Sequence, residues 1–154
     1  MKPLFMVITF ALMTIVIVGC TVANYVVPAY TSLNFNISSD VNPDLNGRPS
    51  PIVVKVYELS SRTLFDNQDF FSLYDDPKYV LGPDLIEKNE FEFSPKSQYE
   101  YKLKLSPGVR YAGIIVAYQD IENARWREVV NIDTTAYKTY NVMIGESSVF
   151  IDSH

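Results

Sequence analysis

Residues 52–59 read Ile-Val-Val-Lys-Val-Tyr-Glu-Leu, and this stretch decides the fold class. Its β-branched residues favour extended backbone. Successive side chains of a strand point to opposite faces, so Ile52, Val54 and Val56 share one face and the residues between them share the other. The pattern therefore predicts a central or near-central strand of a β domain.

A second region with a two-residue period follows later in the chain. Residues 89–93 and 99–105 alternate aromatic or leucine side chains with charged ones. Residues 94–97, Ser-Pro-Lys-Ser, have the composition of a turn between them. The sequence thus predicts a hairpin in which glutamates of the first strand face lysines of the second, as favourable cross-strand pairs do.

The remaining strand patterns are short and separated by turn signals. They lie at residues 32–38, 111–118, 128–132, 140–144 and 149–151. Seven or eight such strands predict an all-β domain built as a two-sheet β-sandwich. Eight strands could also close a small barrel. A long loop and a helical insertion suit an open edge better than closure, which favours the sandwich.

One segment after the central strand departs from this pattern. Phe70, Leu73 and Tyr74 recur at helical spacing, with Asp66 as the predicted N-cap and Pro77 as the predicted stop. The sequence therefore predicts one short helix inserted into the β domain. The aspartates of this segment lack the spacing of a calcium loop, and helix ends explain them instead.

The clearest loop of the chain lies between the first two predicted strands. It consists of Asp40, Val41, Asn42, Pro43, Asp44, Leu45, Asn46, Gly47, Arg48, Pro49, Ser50 and Pro51. Its prolines remove backbone donors, and its Asn, Asp and Gly residues favour turns. One interpretation is a solvated hairpin connection. Because connections longer than about five residues are often functional, the loop is also the candidate partner-binding surface.

The N-terminal end has the features of a secretory signal. Lys2 precedes fifteen uncharged residues, 4–18, a run shorter than the roughly 20 residues of a membrane span. Gly19 and Cys20 follow it, and Cys20 is the only cysteine. We interpret residues 1–19 as a signal peptide, 20–31 as an uncharged tether and 32–154 as the β domain. A signal-anchor helix continuing to Val27, or an ordinary thiol at Cys20, are the alternatives.

Composition excludes several classes of function. With 13 basic and 18 acidic side chains the formal net charge is −5, which disfavours nucleic acid and a polybasic membrane contact. The only histidine is His154, the last residue, so a Ser-His-Asp triad or a histidine metal site lacks its base or ligand. We expect no enzyme, no metal and no cofactor. Trp126 between two arginines suggests ligand stacking, but a core-edge tryptophan is the simpler interpretation.

Residues 17–20, Ile-Val-Gly-Cys, resemble the lipobox of bacterial lipoproteins. The resemblance implies that lipid is attached to the Cys20 thiol and that the chain is cleaved between Gly19 and Cys20. The covalent lipid would be the only added group. Thr21, at the position where aspartate would signal retention in the inner membrane, is consistent with sorting to the outer membrane.

A longer series of motifs follows the lipobox in order. It comprises residues 49–59, Phe65, residues 69–76, 81–86 and 111–120, and the pair Trp126-Arg127. The series resembles the outer-membrane lipoprotein of type VI secretion systems, the TssJ or SciN kind, over essentially the whole mature chain. The resemblance implies a transthyretin-like β-sandwich with an added helical segment, lipid-anchored in the outer membrane and facing the periplasm.

In that family the lipoprotein anchors the secretion membrane complex by binding the periplasmic part of a large inner-membrane protein, TssM. The loop between the first two strands contributes to this contact, which here implies residues 40–51. The alternative function is an unrelated envelope lipoprotein that recognises a carbohydrate or cell-wall ligand through exposed Tyr and Trp. A transthyretin-like hydrolase would need histidines that this sequence lacks.

Overall fold

Two four-stranded sheets pack face to face in the computed structural model, which describes residues 29–152. The strands are β1 (Thr31–Ile37), β2 (Ile52–Leu59), β3 (Leu85–Phe93), β4 (Gln98–Lys102), β5 (Tyr111–Val116), β6 (Arg127–Asn131), β7 (Lys138–Ile144) and β8 (Val149–Asp152). Sheet 1 has the order β4-β1-β7-β8, and sheet 2 the order β3-β2-β5-β6. The predicted transthyretin-like two-sheet sandwich is confirmed. The predicted signal peptide, Gly19 and Cys20 lie outside the described residues.

The central strand is where the sequence placed it. β2 pairs with β3 on one side and β5 on the other, both antiparallel. Ile52, Val54 and Val56 are at most 1% exposed and face Leu33 and Phe35 of β1 in the core between the sheets. In sheet 1, β1 takes the inner position, antiparallel to β4 and parallel to β7. β1 begins at Thr31, one residue before the predicted start of the domain.

The predicted hairpin of β3 and β4 is wrong. The two strands lie at the edges of opposite sheets, and residues 94–97 cross from one sheet to the other. Alternation tells which side chains face inward but not which strand is the neighbour. The rings of Phe91 and Tyr101 pack across this edge at 4.9 Å. Glu90 pairs instead with Lys55 of β2, at 3.1 Å.

The helical segment contains three short helices rather than one. They are α1 (Thr63–Asn67), α2 (Phe70–Asp75) and α3 (Pro77–Leu81), followed by a 3₁₀ turn at Gly82–Asp84. Asp69 caps α2 by accepting a hydrogen bond from the Ser72 N–H at 3.0 Å, so the prediction of Asp66 as N-cap is wrong. α2 ends at Asp75, just before the predicted stop at Pro77, and Pro77 itself begins α3, a position that its missing N–H allows.

These helices cover the outer face of sheet 2. Tyr57 and Leu73 are fully buried there, and the Tyr57 hydroxyl donates to the Leu73 carbonyl at 2.8 Å. The ammonium group of Lys55 donates to the Tyr74 carbonyl at 2.9 Å and lies 3.6 Å from the centre of that ring. Sheet 2 is therefore covered on both faces. No helix within residues 29–152 is long and apolar enough to cross a membrane.

Trp126 precedes β6 and is partly buried at the edge of the core. Its ring meets Phe70 edge-on with 5.3 Å between centroids. The neighbouring Arg127 guanidinium donates to the carbonyls of Phe65 and Gln68 at 2.8 and 2.9 Å. The arginine therefore fastens the helices to the sheet, and the core-edge interpretation of Trp126 is supported.

Candidate partner-binding site

The predicted loop, residues 40–51, crosses one end of the sandwich. It joins β1 of sheet 1 to β2 of sheet 2, so the hairpin interpretation is wrong. The predicted tether joins the opposite end, where β1 begins at Thr31. The seven residues of β1 separate these two ends by about 23 Å. We call the end that carries residues 40–51 the loop end.

The base of the loop is buried and fixed. Val41 is 0% exposed and Asn42 is 5% exposed. The Asn42 amide donates to the Pro51 carbonyl at 2.9 Å and accepts from the Gln119 N–H at 2.8 Å. Its backbone N–H donates to the Glu146 carbonyl at 3.0 Å. One residue thus ties the β1–β2, β5–β6 and β7–β8 connections together, the first two through its side chain and the third through its backbone.

The tip of the loop, Asp44–Arg48, is closed on itself. The Asp44 carboxylate accepts from the N–H groups of Asn46 and Arg48 at 2.8 and 2.9 Å, and from the Arg48 guanidinium at 2.9 and 2.8 Å. The hydrogen bond from the Arg48 backbone, above all, lowers the pKa of Asp44. Gly47 supplies the positive φ of 75° that the turn requires. The tip therefore has a defined shape without a partner.

Leu45 projects from this closed tip. Its side chain is fully exposed, at 105%, more than any other large hydrophobic side chain of residues 29–152. Burial of an exposed leucine side chain is favourable by roughly 1.5–3 kcal/mol. Since the tip is already ordered, little further conformational entropy would be lost when a partner covers it.

A shallow apolar groove adjoins the loop on the outer face of sheet 1. Its volume is about 270 Å³, and it is lined by Asn36, Ile37, Ser38, Met143, Ile144, Gly145 and Phe150. Met143 and Phe150 are each 46% exposed. The Ser38 hydroxyl, which lines the groove, donates to the Asp40 carboxylate, and this hydrogen bond joins groove and loop. The sequence signal for this groove is Met143, an apolar residue at an outward-facing position of β7.

The loop end carries an excess of negative charge. Its exposed acids include Asp40, Asp120, Glu122 and Glu146. Two of its arginines are already paired, Arg48 with Asp44 and Arg125 with Glu128. No group of three or more His, Cys, Asp or Glu side chains in the described part of the chain could hold a metal ion. The arrangement suits recognition of a surface with basic groups around an apolar pocket.

The twelve predicted residues differ in burial. Val41 and Asn42 are buried and hold the loop, Pro43, Asp44 and Ser50 are half-buried, and Asp40, Leu45–Pro49 and Pro51 are exposed. The sequence did not indicate Gln119 or Glu146, which fix Asn42 from distant connections. Cys20, which is expected to carry the lipid, and Gly19, which precedes the expected cleavage site, lie outside the described range.

A two-sheet β-sandwich that follows a lipobox-like segment indicates the class of lipoproteins. The family model T6SS-SciN, "Type VI secretion lipoprotein, VasD, EvfM, TssJ", matches residues 29–147. The chain therefore belongs to the family of type VI secretion lipoproteins of the TssJ kind. The family consists of structural components of the secretion membrane complex.

Solved structures agree with this assignment. The type VI lipoprotein TssJ1 of Pseudomonas aeruginosa is 26% identical with a TM-score of 0.79, and covers 83% of this chain and 98% of its own. Lip of Serratia marcescens, a membrane-bound component of its type VI system, is 27% identical with a TM-score of 0.72, covering 83% and 99%. A search of curated proteins found no match.

A third match shows the fold alone. It is a chain in a structure titled for the TssM C-terminal domain from EAEC, with 18% identity and a TM-score of 0.67. The alignment covers 79% of this chain and 99% of the matched one.

Proposed function

We propose that this protein anchors the type VI membrane complex to the outer membrane by binding the periplasmic domain of a TssM-type inner-membrane protein. The contact is made by the loop of residues 40–51, with Leu45 entering an apolar pocket of the partner. The observation that carries this proposal is the closed tip with its fully exposed Leu45, at the end of the sandwich away from the tether. A link between two membranes needs its two attachments at opposite ends.

The anchor is proposed from the sequence and the family. Residues 1–19 are removed as a signal peptide, Cys20 receives the lipid, and residues 20–31 form a tether to the domain of residues 32–154. The domain faces the periplasm, and the protein acts by binding, with no cofactor besides the covalent lipid. The family name, which describes a lipoprotein, supports this assignment.

Two further observations support the choice of partner. A chain of this fold occurs in a solved structure whose title names the TssM C-terminal domain. The alternative, a lipoprotein that recognises a carbohydrate or cell-wall ligand, relied on exposed Tyr and Trp. The single tryptophan of the sequence, Trp126, is partly buried against Phe70.

Replacement of the loop tip tests the proposal. In the full-length protein, residues 44–48 are changed to Gly-Ser-Gly-Ser-Gly, which keeps Val41 and Asn42 in place. We expect binding to the periplasmic domain of the TssM-type protein from the same bacterium to fall at least tenfold, because about 1.4 kcal/mol of contact is lost. Binding is measured by surface plasmon resonance.

The matched control changes residues 134–136 at the opposite end to Gly-Ser-Gly, and it should bind as the unaltered protein does. Equal affinity of the tip variant and the control would exclude the loop as the contact. Failure of the unaltered protein to bind would exclude the partner.

A further inference from the structure

We propose that the end of the sandwich joined to the tether is a membrane-contacting surface that lies on phospholipid headgroups. The surface consists of Tyr30, Lys102, Tyr137 and Lys138, and we call it the anchor-side surface. The inference rests on the lipid anchor of the proposed function but not on the TssM-type partner.

Backbone pairing brings these four residues together. The Lys138 N–H donates to the Tyr30 carbonyl at 3.1 Å, and Lys102 stands opposite Ser32 in the β1–β4 pair. The rings of Tyr30 and Tyr137 meet edge-on with 5.3 Å between centroids. The Lys102 ammonium lies 5.1 Å from the centre of the Tyr30 ring. The anchor-side surface is thus one cluster built at the start of β1.

The chemistry of this cluster matches a bilayer interface. Tyr30 and Tyr137 are 39% and 53% exposed, and both lysines are exposed. Tyrosine is enriched at the level of lipid headgroups, where its ring meets the apolar boundary and its hydroxyl meets water. Lysine places its stem along apolar surface and its ammonium beside phosphates.

An acidic neighbour of this surface is Asp133, whose pKa is lowered mainly by hydrogen bonds from Thr135 and, less, by Lys138. Its charge offsets one of the two lysines. Polybasic membrane segments carry about four to eight basic residues, so the net charge here is small. The tyrosines therefore provide most of the contact, and the lysines orient it.

The position of the surface in the chain also points to lipid as the occupant. Tyr30 follows Cys20 by ten residues, which reach at most about 33–36 Å when fully extended. A tether this short keeps the surface at a high effective concentration near the bilayer, so a weak contact is sufficient. β1 would then stand away from the membrane and carry residues 40–51 to the far side.

Footprinting of the full-length lipidated protein tests this inference. The protein is placed in vesicles of phosphatidylethanolamine and phosphatidylglycerol, and lysine acetylation is followed by mass spectrometry. We expect Lys102 and Lys138 to be acetylated at least threefold more slowly in the unaltered protein than in the double variant Tyr30→Ser/Tyr137→Ser. Lys78 on α3 and Lys96 at the loop end serve as internal controls and should react equally in both.

A second variant provides an independent test in case the first variant does not fold. In Lys102→Glu/Lys138→Glu, hydroxyl-radical oxidation of Tyr30 and Tyr137 should rise relative to the exposed Tyr79. Unchanged rates in both variants would overturn the proposal. Protection that scales with the protein-to-lipid ratio would also overturn it, because it would show contact between copies of the chain.

The same spectra separate this inference from the anchor on which it rests. An N-terminal peptide that begins at Cys20 and carries acyl chains confirms the anchor. Acylated protein with unprotected lysines overturns the membrane contact alone, whereas unacylated protein overturns the anchor.

Discussion

At the scale of single residues, Asn42 and Leu45 have different roles in the loop. Asn42 has a positive φ of 50°, which asparagine tolerates better than most residues do, and its amide is buried in hydrogen bonds. Leu45, three residues later, has no such burial. One residue fixes the loop to the sandwich, and the other is presented to a partner.

Replacing Asn42 should destabilise the fold. Asn42→Ala leaves the Pro51 carbonyl and the Gln119 N–H without their partner, and alanine tolerates the positive φ of this position less well than asparagine does. We expect the free energy of unfolding to fall by about 2–4 kcal/mol. Asn42→Gly relieves the backbone strain only, so it should be less damaging by about 1 kcal/mol. Urea denaturation measures both, and equal losses would contradict the role of φ.

Replacing Leu45 should weaken binding without affecting stability. Leu45→Ala removes most of the apolar area at the tip, so affinity for the TssM-type periplasmic domain should fall roughly tenfold, mainly through faster dissociation. The melting temperature should not change, because the side chain is fully exposed. Tyr79→Ala, at an 83% exposed position on α3, is the control. A drop of equal size in the control would rule out a specific role for Leu45.

At the scale of secondary-structure elements, α1 packs closely against β5. A Cβ added at Gly113 would lie 2.7–2.9 Å from three ring atoms of Phe65. Glycine is therefore required at this position for the ring to reach the sheet. The helical segment is held by this contact in addition to the hydrogen bonds of Lys55, Tyr57 and Arg127.

Gly113→Ala should cost about 1–3 kcal/mol of unfolding free energy, because overpacking displaces the buried ring. The double variant Phe65→Leu/Gly113→Ala replaces the ring with a smaller side chain. Its loss of unfolding free energy should be less than the sum of the losses of the single variants, with a coupling of about 0.5–3 kcal/mol. Thermal and urea unfolding provide the measurement. Gly145→Ala, where the nearest atom would be 3.5 Å away, should be close to neutral. Strict additivity in the double variant would show that the ring is not the obstacle.

The strands could be predicted from the sequence because burial alternates along each of them. Leu33, Phe35 and Ile37 are buried as expected. Their partners could not be predicted, because alternation is the same whether residues 94–97 form a hairpin or cross between sheets. The helix boundaries were missed for a local reason. Asp66, Asp69 and Asp76 are all plausible caps, and only the extended backbone at Gln68 ends α1.

For the candidate site, composition located the loop but not its interior. Proline, glycine, asparagine and aspartate identify residues 40–51 as a loop. The partner of Asn42, Gln119, lies 77 residues away in sequence, and no local pattern reveals that contact. The anchor-side surface was missed for a similar reason, since Tyr30 and Tyr137 come together only through the parallel β1–β7 pair.

At the scale of the whole molecule, buried tyrosines limit stability in alkali. Burial raises the pKa of Tyr101 to about 12, and it raises the pKa of Tyr57 and of Tyr118 further. The unfolded chain loses these protons near pH 10, so the folded state binds more protons above that pH. Stability should be fully present below about pH 10 and decline as the pH rises towards the raised values.

Tyrosinate absorbance and circular dichroism can be followed together to check this expectation. Tyr57, Tyr101 and Tyr118, whose pKa values are raised by burial, should ionise only as the sheet signal is lost. Tyr118→Phe removes one of these groups, so the decline should begin later or be less steep. Complete ionisation in a protein that keeps its sheet signal would contradict the role of burial.

The inner position of β1 has a mechanical consequence. The proposed lipid attachment precedes its first residue and the proposed partner loop follows its last, so tension between the two membranes would run along this strand. β1 is hydrogen-bonded to β4 on one side and to β7 on the other. A pull parallel to a strand loads all these bonds in shear at once, whereas a pull from a hairpin end breaks them one at a time. We expect the domain to resist force well beyond what its thermodynamic stability suggests.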